Sequence, residues 1–85
     1  QLLDIANQLA GENRHAESAQ AYEQFLTHYG NYEYAEQIQL MLGLLYSRYL
    51  GQTEPAVKHL QAAAKKLSDP DQLKMCQDEL AGLQK

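Results

Sequence analysis

"LMLGLLYSRYLGQ", residues Leu40 to Gln52, is the stretch whose reading decides the fold, because it is the least polar part of the chain. At helical spacing Ile38, Met41, Leu42, Leu45, Tyr46 and Tyr49 fall on one broad side, while Leu40 and Leu44 fall on another. A helix that is apolar on two sides has neighbours on two sides. The segment therefore predicts the central helix of a stack, spanning about Glu33 to Leu50. A membrane span is the competing reading, and it fails on length. The longest apolar run, Leu40 to Tyr46, is far short of the ~20 residues that cross a bilayer.

On either side of this helix every clear hydrophobic period is helical, and none alternates as a strand does. Leu2, Ile5, Ala6 and Leu9 make a first stripe, ended by Gly11 at a position suited to left-handed geometry. A second helix, about Arg14 to His28, carries Ala19, Tyr22, Phe25, Leu26 and Tyr29 on one face before Gly30-Asn31 breaks it. Gly51 ends the central helix, and Thr53-Glu54-Pro55 starts a fourth with Thr53 as its expected N-cap. Val57, Leu60, Ala63, Ala64 and Leu67 form its stripe. Asp69-Pro70 repeats the start signal for a fifth helix, whose Leu73, Cys76, Leu80 and Leu83 lie at three- and four-residue steps. This last helix reads as a cap over Leu60, Ala64 and Leu67, with Lys74, Gln77, Asp78 and Lys85 facing water. The fold expected is all-α, with five antiparallel helices.

Composition narrows the function. With 85 residues the chain makes one small domain with a modest core. A net charge of −4 argues against nucleic acid or an anionic membrane, both of which require clustered cations. Only Lys65-Lys66 are adjacent basic residues. Cys76 has no partner for an internal disulfide, which points to a reducing compartment, the cytoplasm first. The chain opens at Gln1-Leu2 and reads as a domain cut from a longer protein.

Paired helices invite a search for an internal period. In "LLDIANQL" the positions Leu2, Ile5-Ala6 and Leu9 match in size the Trp, Leu-Gly and Tyr that open a tetratricopeptide repeat, with Ser18, Tyr22 and Gly30 following in its second helix. Phe25 departs from the small residue expected there. In the second copy Leu42-Gly43 and Tyr46 match outright, and Ala56, Leu60 and Ala63 follow after one inserted residue in "YLGQTEPA". Ser68 replaces the closing proline, and Gln39 the leading aromatic. Ile5 and Leu42 stand 37 residues apart, so "GNYEYAEQ" holds about three residues beyond the ~34-residue period. The chain thus resembles the tetratricopeptide-repeat family, as two degenerate repeats, 1–30 and 33–68, with a capping helix, 69–85.

That resemblance implies a right-handed stack in which the two helices of a repeat cross closely at Gly43. It also implies a concave groove lined by Leu3, Asn7, Gln37, Leu40, Leu44, Ser47 and Arg48. Leu40 and Leu44 would face either that groove or the first repeat. Many grooves of this family hold a C-terminal carboxylate with one lysine and two asparagines. The matching positions here are Leu3, Asn7 and Met41, so only Asn7 survives and such a clamp is not expected. An apolar peptide, helical or extended, is the expected ligand, with Arg48 fixing an acidic group at the rim. The second reading is a self-association or array segment, forming a homodimer or packing on its parent chain.

No residue set points to catalysis, a metal or a cofactor. His15, His28 and His59 are scattered and read as solvent-exposed, and His15 with Glu12 makes at most half of a metal site. Asp78 and Glu79 are adjacent on a helix and diverge, as on a solvated face. Cys76 reads as a small core residue. Tyr22, Tyr46 and Phe25 sit at packing positions. Tyr32, Tyr34 and Tyr49 suit either an ordinary surface or a binding one, as tyrosine is enriched at hot spots.

Overall fold

The computed structural model describes residues 2–84, with side chains from Asp4 onward. Among the described residues there are five α-helices and no strand: α1 (Leu2–Gly11), α2 (His15–His28), α3 (Ala35–Leu44), α4 (Thr53–Ala64) and α5 (Pro70–Leu83). A π-helical turn, Leu45–Tyr49, continues α3 without a break. The long central helix expected from the sequence is thus shorter at its start and wider at its end. The π turn is closed by the Leu50 amide donating to the Leu45 carbonyl at 3.0 Å, one residue further back than in an α-helix.

Helix α1 packs along α2, α3 along α4, and α5 against α4. Short connections make each such pair antiparallel. The turn from α1 to α2 needs a left-handed residue, and it is Asn13 at φ 63° rather than Gly11. Asparagine tolerates that conformation better than most residues. Gly51, also at φ 63°, turns the chain into α4. There the cap position falls on Gln52, not Thr53, and no side chain caps the helix. Helix α5 starts as its sequence predicts. Asp69 Oδ1 accepts from the amides of Asp71 (2.8 Å) and Gln72 (3.2 Å), and Pro70 follows directly.

Two cores result. The first gathers Ala6, Ala19, Tyr22, Phe25, Ile38, Leu42 and Leu45 from α1, α2 and α3 with its π turn. The second gathers Leu40, Leu60, Ala63, Leu67 and Cys76, flanked by Leu44, Leu73, Leu80 and Leu83. The predicted stripe of α5 is therefore its buried face, while Lys74, Gln77 and Asp78 are exposed. Lys85 lies outside the described residues. Helix α3 feeds both cores, Leu42 facing the first and Leu40 the second, which is what its two apolar sides required. Ile5 on α1 has no helix pair in front of it among the described residues and is 49% exposed.

Each pair crosses at a small residue. A Cβ on Gly43 would lie 2.5 Å from Leu60 Cδ2, closer still to Leu60 Cγ, and 3.3 Å from the Ala56 carbonyl oxygen. Leu60 is fully buried and has nowhere to retreat. In the first pair Ala6 and Ser18 are both fully buried, and the Ser18 hydroxyl donates to the Ala6 carbonyl at 2.8 Å. The hydrogen bond satisfies a polar group that would otherwise be costly at a dry crossing.

Gly43→Ala sets a helix-propensity gain of up to ~1 kcal/mol against overpacking of ~1–3 kcal/mol. Because the new methyl meets the branched carbon of the fully buried Leu60 as well as one of its methyls, overpacking wins. The expected result is a melting temperature lower by roughly 5–10 °C in thermal unfolding, partly restored by adding Leu60→Ala. A rise in melting temperature on Gly43→Ala alone would show that the crossing is not close.

Candidate functional site

Of the seven residues expected to line one groove, the six whose side chains are described do not share one surface. Asn7 and Gln37 are exposed and border a cleft of about 210 Å³, together with Tyr22, Tyr32, Tyr34, Ile38 and Met41. Leu40 is buried in the second core, and Leu44 packs half-buried against it. Ser47 and Arg48 are already engaged by α5. The Leu3 side chain lies outside the described residues. Leu40 and Leu44 thus belong to the second core, and Ser47 and Arg48 bond to Glu79 of α5.

The cover is specific. Ser47 Oγ donates to Glu79 Oε2 at 2.6 Å, and the Arg48 guanidinium meets Glu79 Oε1 at 3.0 and 3.2 Å. The Ser47 hydroxyl and the Arg48 charge hold the Glu79 carboxyl below its usual range. Glu79 is not on a solvated face as expected. The acidic group that Arg48 was expected to fix on a partner is thus supplied by α5.

On the open side, the cleft is built on a fixed aromatic base. Phe25 is 8% exposed. The Tyr32 ring meets it edge-on, with centroids 5.2 Å apart at 88°, and Tyr34 follows Tyr32 at 5.7 Å and 69°. Two successive turns hold this segment, the Tyr32 amide donating to the Tyr29 carbonyl (2.9 Å) and the Ala35 amide to that of Tyr32 (3.0 Å). The Tyr22 hydroxyl, from a buried residue, donates to Asn7 Oδ1 and orients its amide. Burial raises the Tyr22 pKa, so the hydroxyl stays a donor. Tyr32, Tyr34 and Met41 remain 38%, 47% and 42% exposed around these amides. Met41 was expected inside, on the α3 stripe. Its place one turn after Gln37 is the sequence signal for the open face.

A second polar cluster, unforeseen from the sequence, joins the two helix pairs. His59 on α4 is buried, not solvent-exposed. Its Nε2 lies 2.9 Å from Glu23 Oε1 on α2, its Nδ1 meets the side-chain amide of Gln39 on α3, and its ring stacks on Tyr46 at 5.8 Å. The Tyr46 hydroxyl donates to Glu23 Oε2 at 2.8 Å. Burial and then the Glu23 carboxylate push the Tyr46 pKa up to about 12. Both ring nitrogens are engaged, Nε2 by Glu23 Oε1 and Nδ1 by Gln39 Oε1. The signal was present in the spacing, since His59 falls between Ala56 and Ala63 on the buried stripe of α4.

Cys76 and His15 lie apart from this cluster, and the buried His15 Nδ1 has no hydrogen-bond partner among the described residues. Cys76 is fully buried, its thiol donates to the Leu60 carbonyl at 3.0 Å, and burial pushes its pKa up. His15 is half-buried with its ring stacked on Tyr49 at 3.9 Å and 13°. Among the described residues no group of three His, Cys, Asp or Glu converges on a metal-sized site, and no helix is long and apolar enough to cross a membrane.

The His59 cluster gives stability a defined pH dependence. Burial lowers the His59 pKa below 6.5, and Lys58 adds to this while Glu23 opposes it. The folded state therefore favours the neutral ring. Its contribution is complete above the unfolded value near 6.5 and is lost as pH falls through the lower folded value. Urea midpoints are expected to drop as pH falls below that of the unfolded histidine, with a shallower drop for His59→Gln. Equal slopes for the two proteins would remove His59 as the cause.

Comparison with known protein families, curated proteins and solved structures finds no match for this chain.

Proposed function

We propose that this chain is a non-enzymatic protein-interaction module that binds a partner's peptide segment in the cleft between α1, the Tyr32–Tyr34 segment and α3. One observation carries the reading: two tyrosines and a methionine stand exposed around two amide side chains on a rigid base. At about 210 Å³ the cleft is smaller than the ~300–1,000 Å³ typical of small-molecule sites. It suits one or two side chains of a segment lying across it. The Asn7 and Gln37 amides each offer donors and an acceptor to a passing peptide backbone. The aromatic rings supply contact area at low entropic cost. The occupation of both His59 ring nitrogens and the burial of Cys76 favour the non-enzymatic side of the reading.

The two helix pairs and α5 are proposed to be two tetratricopeptide-like repeats and a cap. Support comes from the equivalent crossings, Ala6 with Ser18 and Gly43 with Ala56 and Leu60, at corresponding places in each pair. The cleft then lies along the first helices of the two pairs. The second reading, a self-association or array segment, is favoured by one observation only. Ile5 is open where its counterpart Leu42 is fully covered, and a further helix pair or a second copy would cover it.

Peptides selected from a random library by binding should shift the amide signals of Asn7, Tyr32, Tyr34, Gln37 and Met41. Tyr34→Ala should weaken their binding about tenfold or more, as for a hot-spot tyrosine. Shifts confined to α4 and α5 would reject the cleft, and a concentration-dependent dimer by light scattering would favour self-association.

A further inference from the structure

The charges around the cleft say what kind of segment it takes. From His15 to Ser47 the chain holds four glutamates and no lysine or arginine. Glu23 is occupied by Tyr46 and His59, and Glu17 by Arg14. Glu33 and Glu36 remain, the first between the two cleft tyrosines and the second beside Gln37. Asp4 lies one turn before Asn7 on the same face of α1. Among the described residues none of these three carboxylates has a cationic partner. Arg14 and Arg48, the cations nearest in sequence, are each committed to their own glutamates.

The lining itself is uncharged and aromatic. Tyr32 and Tyr34 present rings inclined at 69° to one another, both partly open to solvent. Aromatic faces attract lysine and arginine cations, and carboxylates without a cationic partner on residues adjoining the lining strengthen that preference, an effect that salt screens. An acidic segment would meet the same carboxylates as repulsion. Among the described residues no lysine or arginine lines the cleft to offset it. This reverses the expectation that Arg48 would favour an acidic ligand, because Arg48 serves α5 on the other side of α3.

We propose that the cleft selects a Lys- or Arg-bearing segment of a partner protein, its cation held at the Tyr32 and Tyr34 rings in the field of Asp4, Glu33 and Glu36. The inference rests on the cleft reading above and adds the sign of the ligand's charge. Its test is an immobilised library of random capped heptapeptides whose central residue is fixed as Lys, Arg, norleucine or Glu, probed with the intact protein. The Lys and Arg pools should retain about tenfold more protein than the norleucine pool, and the Glu pool least. The excess should shrink several-fold in Glu33→Gln/Glu36→Gln, and Tyr34→Leu should remove it while keeping apolar bulk. High salt should erase the glutamate effect first, since exposed charges are screened.

Equal retention by the Lys and norleucine pools, with cleft amide shifts intact, would overturn the charge preference and leave the cleft standing. No retention by any pool and no cleft shift would overturn both. Circular dichroism of each variant, matching the parent, ties any loss to the surface and not to unfolding.

Discussion

Leu60 fills the hollow left by the missing side chain of Gly43, and much of the molecule is arranged around that contact. The absence of a Cβ lets α3 and α4 approach until Leu60 is fully buried. Its carbonyl then receives the Cys76 thiol from α5, and its side chain joins Leu40, Ala63, Leu67 and Cys76 in one core. Three helices are thus fixed by one leucine. Burying such a side chain is worth ~1.5–3 kcal/mol, a large share of the stability of a domain this small. The first pair solves the same problem differently, with Ala6 and Ser18 in contact and the hydroxyl paired to the backbone.

The consequence for the surface follows from which side of α3 that core occupies. Once the core shared by α4 and α5 takes in Leu40 and Leu44, and Glu79 takes Ser47 and Arg48, the free face of α3 is the one bearing Gln37 and Met41. The Glu23–His59–Tyr46 cluster ties the second pair to the first. The Phe25 ring supports Tyr32 at the junction between the pairs. The cleft is therefore bordered by elements that are held in place independently of any ligand, which limits the ordering cost of binding.

Much of the fold was legible in the sequence, because helical periodicity and punctuation act locally. The two apolar sides of the segment around Leu42 and the Asp69-Pro70 start are properties of residues within a turn or two of one another, whereas the Gly43 crossing with Leu60 on the next helix was expected only from the family resemblance. What periodicity does not contain is the identity of the neighbour that covers a stripe. Arg48 and Glu79 are 31 residues apart, and nothing local pairs them. Leu40 reads equally well as groove or core until α5 is placed. The π turn was likewise invisible, although the one-residue insertion needed to align the second helix pair falls beside it. The residues in excess of a regular period, in "GNYEYAEQ", read from the sequence as a connecting segment whose Tyr32 and Tyr34 suited either an ordinary surface or a binding one. In three dimensions they carry Tyr32 and Tyr34 to the cleft.

The central claim is that one side of α3 is open and the other is closed by α4 and α5, and solvent accessibility of methyl groups measures it directly. A dissolved paramagnetic agent should broaden the Met41 methyl signal about as strongly as that of Met75, which is 45% exposed against 42% for Met41. The Leu40 and Leu60 methyls, 6% and 0% exposed by residue, should stay sharp. Broadening of Leu40 together with protection of Met41 would place the open face on the opposite side of α3 and contradict the account.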